Sequence, residues 1–147
     1  MNIEKLELLV NNFKKNPELI SSNSNYKESD TRSEFIDPFF KYLGWDMDNS
    51  KGLNSFNKEV KRENFQKINE EEIQKPDYIF KIKDSKKIIV EAKKSSKNIK
   101  NKKDTFQVRQ YGYSAGLPIS VLTNFKQLRI FDTKVQPDID DSIDNSL

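Results

Sequence analysis

The sequence predicts an α/β domain with the element order α-α-β-β-β-α-β-β. Three observations predict it. Apolar residues recur at helical spacing twice before residue 45. Two β-branched runs, at 78–82 and 87–93, are separated by a hairpin-length link. A third helical stretch then precedes two short apolar runs that read as strands.

Each element has a local reason. Ile3, Leu6, Leu9, Val10 and Phe13 line one face of a short helix, and Pro17 follows it. Residues 21–29 are rich in Ser and Asn and read as a loop. A second helix is expected to start near Asp30 or Thr31, because Thr31 and Glu34 fit a capping box. Phe35, Ile36, Phe39, Phe40 and Leu43 form its apolar face, and Gly44 suits its end. Pro38 lacks an N–H and crowds the carbonyl of Glu34, so a kink or a late helix start is expected. Trp45 should pack beneath the helix end.

Residues 46–57 read as loop, and Lys58 to Glu63 alternate as an exposed strand. Residues 64–75 are polar and show no strong period. Tyr78 to Ile82 and Lys87 to Lys93 are strands, linked by Lys83-Asp84-Ser85-Lys86. A basic loop over 94–103 leads to a helix capped by Asp104 and running through Phe106, Val108 and Tyr111 to about Ala115. Gly116-Leu117-Pro118 breaks that helix, and Ile119–Leu122 and Leu128–Phe131 are the last strands. One domain is expected over 1–134. Residues 135–147 form an acidic tail without a packing pattern, either flexible or the start of a linker.

Composition excludes much chemistry. The chain has 147 residues, with 26 Lys+Arg, 23 Asp+Glu, no His and no Cys. Disulfides, thiol nucleophiles and thiolate zinc sites are therefore ruled out. So are imidazole bases and His-dependent triads. Catalysis must rest on carboxylates, Lys, Tyr, Ser or a metal held by oxygen, and such a metal is hard: Mg²⁺, Mn²⁺ or Ca²⁺. The chain is polar, but ten Phe, five Tyr and one Trp suffice to fill a small core. Net charge is only +3, yet residues 81–103 hold ten Lys against Asp84 and Glu91. No apolar run approaches the ~20 residues of a membrane span, and the N-terminus lacks a signal-peptide pattern. We expect a soluble cytoplasmic protein.

The segment that carries chemistry is Pro76-Asp77 followed, after a gap of 13 residues, by Glu91-Ala92-Lys93. Glu91 and Lys93 sit two apart on a strand, so both point to one face. Antiparallel pairing of the strands could bring Asp77 level with Glu91. Two carboxylates converging at a strand end suit a hard divalent cation, and a neighbouring Lys can orient or deprotonate water. Charged residues ending an apolar run (Ile88, Ile89, Val90) are a local conflict of the kind that marks functional sites.

These residues resemble the PD-(D/E)XK nuclease superfamily. Gln107-Val108-Arg109-Gln110-Tyr111 is similar to the Q-x-x-x-Y motif of its RecB-like and type I restriction-subunit branch. The stretches Ser29 to Phe39, Leu43-Gly44-Trp45, Glu59 to Glu63 and Tyr111 to Ser120 resemble the N-terminal nuclease domains of type IIG restriction-modification enzymes. The likeness covers roughly residues 26–132. It implies a restriction-endonuclease-like α-β-β-β-α-β core with a mixed central sheet flanked by helices. It also implies Mg²⁺-dependent hydrolysis of DNA, with Mn²⁺ able to substitute. Asp77 and Glu91 would ligate the metal and Lys93 would position or activate water. Glu34 would assist, Gln107 would contact Lys93, the metal shell or the DNA backbone, and Tyr111 and Glu63 would support. The default reading of the Lys-rich loop is a solvated basic segment. Its place after the proposed site makes Lys94, Lys97, Lys100, Lys102 and Lys103 candidates for backbone phosphates of double-stranded DNA.

Plainer readings compete. Glu34 is also a capping-box glutamate, and the two roles can coexist. Glu91 and Lys93 also fit a cross-strand surface pair, Gln107 an exposed helix residue, and Tyr111 a core residue. No Walker loop and no methyltransferase motif is present. Type IIG enzymes carry methyltransferase and target-recognition regions after the nuclease domain, so this chain is expected to be a fragment of such a protein or a standalone relative. The alternative functions are a non-catalytic nucleic-acid-binding or assembly module on the same fold, and a repair or recombination nuclease.

Overall fold

The computed structural model describes residues 1–62 and 76–147. Helix α1 spans Ile3–Lys14, and the Asn2 side chain caps it by accepting from the Lys5 N–H at 3.1 Å. A single 3₁₀ turn, Pro17–Ile20, follows. The next helical stretch has three parts: α2 (Glu28–Thr31), a π turn (Arg32–Ile36) and α3 (Asp37–Leu43). The described residues form five strands: β1 (Val60–Arg62), β2 (Tyr78–Ile82), β3 (Ser85–Ala92), β4 (Ile119–Thr123) and β5 (Leu128–Asp132). Helix α4 (Lys102–Ser114) crosses between β3 and β4.

The strands form one mixed sheet in the order β1-β2-β3-β4-β5. Among the described strands, β3 and β4 pair in parallel and the other neighbours are antiparallel. A helical crossover is what a parallel neighbour requires, and α4 supplies it. The sequence-derived α-β-β-β-α-β core in an α/β fold is therefore present, with β5 added at the edge.

Strand alternation divides the core. Ile88, Val90 and Ala92 of β3 share one face with Ile119 and Val121 of β4, and this face packs against Ile36 and Phe40. Tyr78 and Phe80 of β2 belong to the same cluster. Trp45 packs edge-on against Phe80, 4.9 Å between centroids, beneath the helix end as expected. Across the sheet, Leu122 and Phe131 pack with Ile99 and with Val108 of α4. Gly112 lets α4 approach closely, since a Cβ there would lie 2.2 Å from Ser120 Oγ and 2.6 Å from Thr133 Oγ1. Helix α1 contributes an outer layer in which Phe13 meets Phe35 and Phe125.

Three local expectations are corrected. The second helix starts at Glu28, not near Thr31, because Asp30 Oδ2 accepts the Lys27 N–H at 2.8 Å. Thr31 is not a cap: it is fully buried, donates to Lys27 O and accepts from Ser95 N at 3.1 Å. Helix α4 is capped by Asn101, whose Oδ1 accepts from Asp104 N at 2.8 Å, so Asp104 lies in the first turn. Pro38 has the disruptive effect foreseen, in the form of the π turn. The Asp37 N–H bonds to Arg32 O, and α3 restarts with Pro38 in its first turn. A wide turn absorbs the hydrogen bond that Pro38 cannot donate.

Residues 135–147 lie against α4 and β5. Asp141 pairs with Arg109 at 3.0 Å and Asp140 with Lys102 at 3.4 Å. Ile143 O accepts from Arg129, and Leu147 N donates to Ile130 O at 2.7 Å. Among the described residues no helix is long and apolar enough to cross a membrane.

Candidate active site

The site forms where β2 begins and β3 ends. Tyr78 pairs with Val90 in the antiparallel ladder, so the next position outward sets Asp77 opposite Glu91. Asp77 is fully buried, and its Oδ2 accepts the Ala92 amide at 2.7 Å. That bond replaces, with a side chain, the acceptor a longer β2 would have offered. Its Oδ1 accepts from Arg32 Nη1 at 3.2 Å. Burial outweighs these favourable partners and holds the Asp77 carboxyl above its ordinary pKa.

Glu91 is 6% exposed and makes a 3.0 Å ion pair through Oε1 with Lys93 Nζ. Its Oε2 is buried and has no hydrogen-bond partner. Burial, then the negative charge of Asp77, raises its pKa to about 7, against the pull of Lys93. Burial works against the Lys93 ammonium, but Glu91, Asp104 and Glu28 prevail and raise its pKa. The two carboxylates and the Lys that the sequence set together thus meet in one electrostatic unit.

Helix α4 brings the third wall. Asp104, Gln107 and Tyr111 are three and seven residues apart and therefore share a helix face. Asp104 is buried, bonds Lys97 Nζ at 2.7 Å and stands 3.8 Å from Lys93 Nζ. Gln107 Nε2 donates to Tyr111 OH at 3.1 Å. The half-buried Tyr111 has a raised pKa, from burial first and then from Glu91 and Asp77, which places its hydroxyl within their field.

Glu34 is placed elsewhere. It is exposed, and its Oε2 accepts from Tyr26 OH at 2.6 Å. The upstream acidic residue that faces the site is Glu28. Its pKa is raised by burial and then by Asp77, and Lys93, Arg32 and Lys97 oppose the rise. Glu63 lies outside the described residues. Lys94, Lys100, Lys102 and Lys103 are exposed, Lys102 pairs with Asp140 at 3.4 Å, and Lys97 is half-buried against Asp104.

Sequence reasoning missed Glu28, Arg32 and Asp104. Glu28 and Arg32 were findable as an i, i+4 pair on one helix, and Asp104 by its spacing from Gln107 and Tyr111. Among the described residues, no group of three or more acidic side chains could hold a metal by itself. The site offers a carboxylate pair, one oxygen of which lacks any donor.

A family model described as "Type I restriction enzyme R protein N terminus (HSDR_N)" matches residues 57–139, more than half of the chain. The chain belongs to that family. The match contains Asp77, Glu91, Lys93, Gln107 and Tyr111, and it bears out the resemblance to restriction-enzyme N-terminal domains read from the motifs. Over 145 residues, 97% of its length, the chain is 37% identical to the type II restriction enzyme and methyltransferase RM.Eco57I of Escherichia coli. It spans 14% of that relative's length. No solved structure matches the chain.

Proposed function

We propose that this member of the type I restriction R-protein N-terminal family is a Mg²⁺-dependent endodeoxyribonuclease domain, the cleavage module of a restriction-modification protein. One observation carries the reading: a buried Glu91 oxygen with no donor, level with the Asp77 carboxylate and beside the Lys93 ammonium. A buried acceptor left unpaired is costly unless a cation completes it. Mg²⁺ is commonly held by one or two carboxylates together with waters and substrate phosphate, so the pair fits it, and Mn²⁺ fits equally. When bound, the ion would polarise the phosphoryl oxygen and acidify a coordinated water.

The remaining roles fall to the chain's own residues. Lys93, held as an ammonium between Glu91 and Asp104, would orient the attacking water and offset negative charge on the phosphate. Glu28 would assist from α2, in the place the resemblance gave to Glu34. Gln107 and Tyr111 would line the approach of the DNA strand, and Lys94, Lys97, Lys100, Lys102 and Lys103 would hold its phosphates. Methylation and target recognition would reside in further parts of a longer parent protein, in the cytoplasm.

The test is nicking of supercoiled plasmid by the full chain in Mg²⁺, Mn²⁺ or EDTA. Wild type should cleave only with metal, and Asp77→Ala and Lys93→Ala should not cleave. Equal activity in all three would sink the assignment of those residues.

A further inference from the structure

Arg32 takes no part in the roles above, yet it bonds Asp77 directly. Its guanidinium lies over the Tyr78 ring, 4.7 Å from the centroid. Nε donates to Tyr78 OH at 3.2 Å while Nη1 reaches Asp77 Oδ1 at 3.2 Å. One planar fork therefore engages two consecutive residues at the start of β2. Tyr78 is itself fixed: it is fully buried, and its hydroxyl donates to Asp37 Oδ1. Asp37 Oδ2 in turn pairs with Arg62 Nη1 at 3.1 Å, and Arg62 Nη2 donates to Met47 O at 3.0 Å.

The π turn makes this brace possible. In a regular α-helix, residues five apart point well away from each other, because each turn takes 3.6 residues. The wide turn closes with the Asp37 N–H on Arg32 O and stacks the two residues. Both side chains then reach the Tyr78 hydroxyl. Turns of this kind recur at functional sites.

We infer that Arg32 is a positioning residue for Asp77: braced on Tyr78, it holds one carboxylate oxygen while the Ala92 amide holds the other. The terminal torsion of an aspartate is broad when unrestrained. Two donors on opposite oxygens fix it, and each oxygen keeps a second lone pair for another partner. The functional value of that fixation rests on the nuclease reading, in which Asp77 serves as a ligand. A charge alone would not give it, since a lysine ammonium cannot span Tyr78 and Asp77 as a guanidinium fork does.

The experiment compares wild type with Arg32→Met, Arg32→Lys and Tyr78→Phe in the full chain, without metal. Amide hydrogen exchange is read at Ala92, which bonds Asp77, and at Leu122, a buried reference in β4. The ratio of their protection cancels any global loss of stability. It should fall at least tenfold in both Arg32 variants and in the same direction, by less, in Tyr78→Phe. An unchanged ratio in the Arg32 variants overturns the proposal, and so does full rescue by lysine. Mn²⁺ calorimetry on wild type reads the nuclease proposal separately. No Mn²⁺ binding with a reduced Ala92 ratio would keep Arg32 as the brace of Asp77 and sink the metal site.

Discussion

Glutamine at position 91 should stabilise the metal-free domain at alkaline pH. Glu91 has an ordinary pKa of 4.5 and is pushed to about 7 in the fold, by burial and then by Asp77. At roughly 1.4 kcal/mol per pH unit, that displacement is worth about 3 kcal/mol. The raised folded-state pKa sets the direction. Below pH 4.5 both folded and unfolded chains carry the neutral acid, and the favourable contribution is complete. As pH rises through 7, the folded state must ionise a buried carboxylate, and the contribution is lost. Glutamine stays neutral throughout. Glu91→Gln should therefore exceed wild type by up to about 3 kcal/mol at pH 8, with the gap closing toward pH 5. Urea unfolding in EDTA from pH 5 to 8.5 measures it. Mg²⁺ at about one thousand times its Kd should reverse the order, because such a ligand adds about 4.1 kcal/mol and only wild type has the full site. A variant no more stable than wild type at pH 8, or a gap independent of pH, would refute the reasoning.

Four further outcomes follow from the same geometry. Lys93→Met should lower single-turnover cleavage by about 10²-fold or more, with DNA affinity changed only a few-fold, as gel shift in Ca²⁺ would measure. Alanine at Lys94, Lys100 or Lys103 should each reduce the salt dependence of DNA binding by about one in the log–log slope. Glu28→Gln should depress cleavage well below Glu34→Gln, because Glu28 faces the carboxylates and Glu34 pairs with Tyr26. Gly112→Ala should cost about 1–3 kcal/mol in urea unfolding, since its Cβ would collide with Ser120 and Thr133, and the metal dependence of cleavage should stay unchanged.

Much of the fold was legible because local chemistry and tertiary demand agree in it. Tyr78–Ile82 reads as a strand from its alternation and is one. Ile88 to Val90 read as a buried strand, and their parallel neighbour β4 explains why the run is continuously apolar. The register that opposes Asp77 to Glu91 was not given by the short turn alone: an irregularity between Phe80 and Lys81 shifts the ladder by one residue from the pairing set at Ile82 and Ser85. What failed was local competition. Thr31 and Glu34 make a plausible cap by spacing, but Asp30 reaches the Lys27 amide first and Thr31 is drawn to Ser95. Asp104 makes a plausible cap too, until Asn101 is placed one turn earlier. A cap rule sees which side chain could bond an amide, not which other partner will claim it. The π turn was hidden for a similar reason. Pro38 announces a disturbance, but its form is decided by Tyr78, 40 residues away, which binds Arg32 and Asp37 together. Glu28 escaped notice because it lies in a stretch that reads as loop.

The most direct test of the account is an anomalous difference map from crystals of the full chain grown with Mn²⁺. The account predicts a peak about 2.1 Å from oxygens of both Asp77 and Glu91, the Glu91 oxygen being the one now without a donor. A map with no peak between those carboxylates at saturating Mn²⁺, with Lys93 still paired to Glu91, would contradict it.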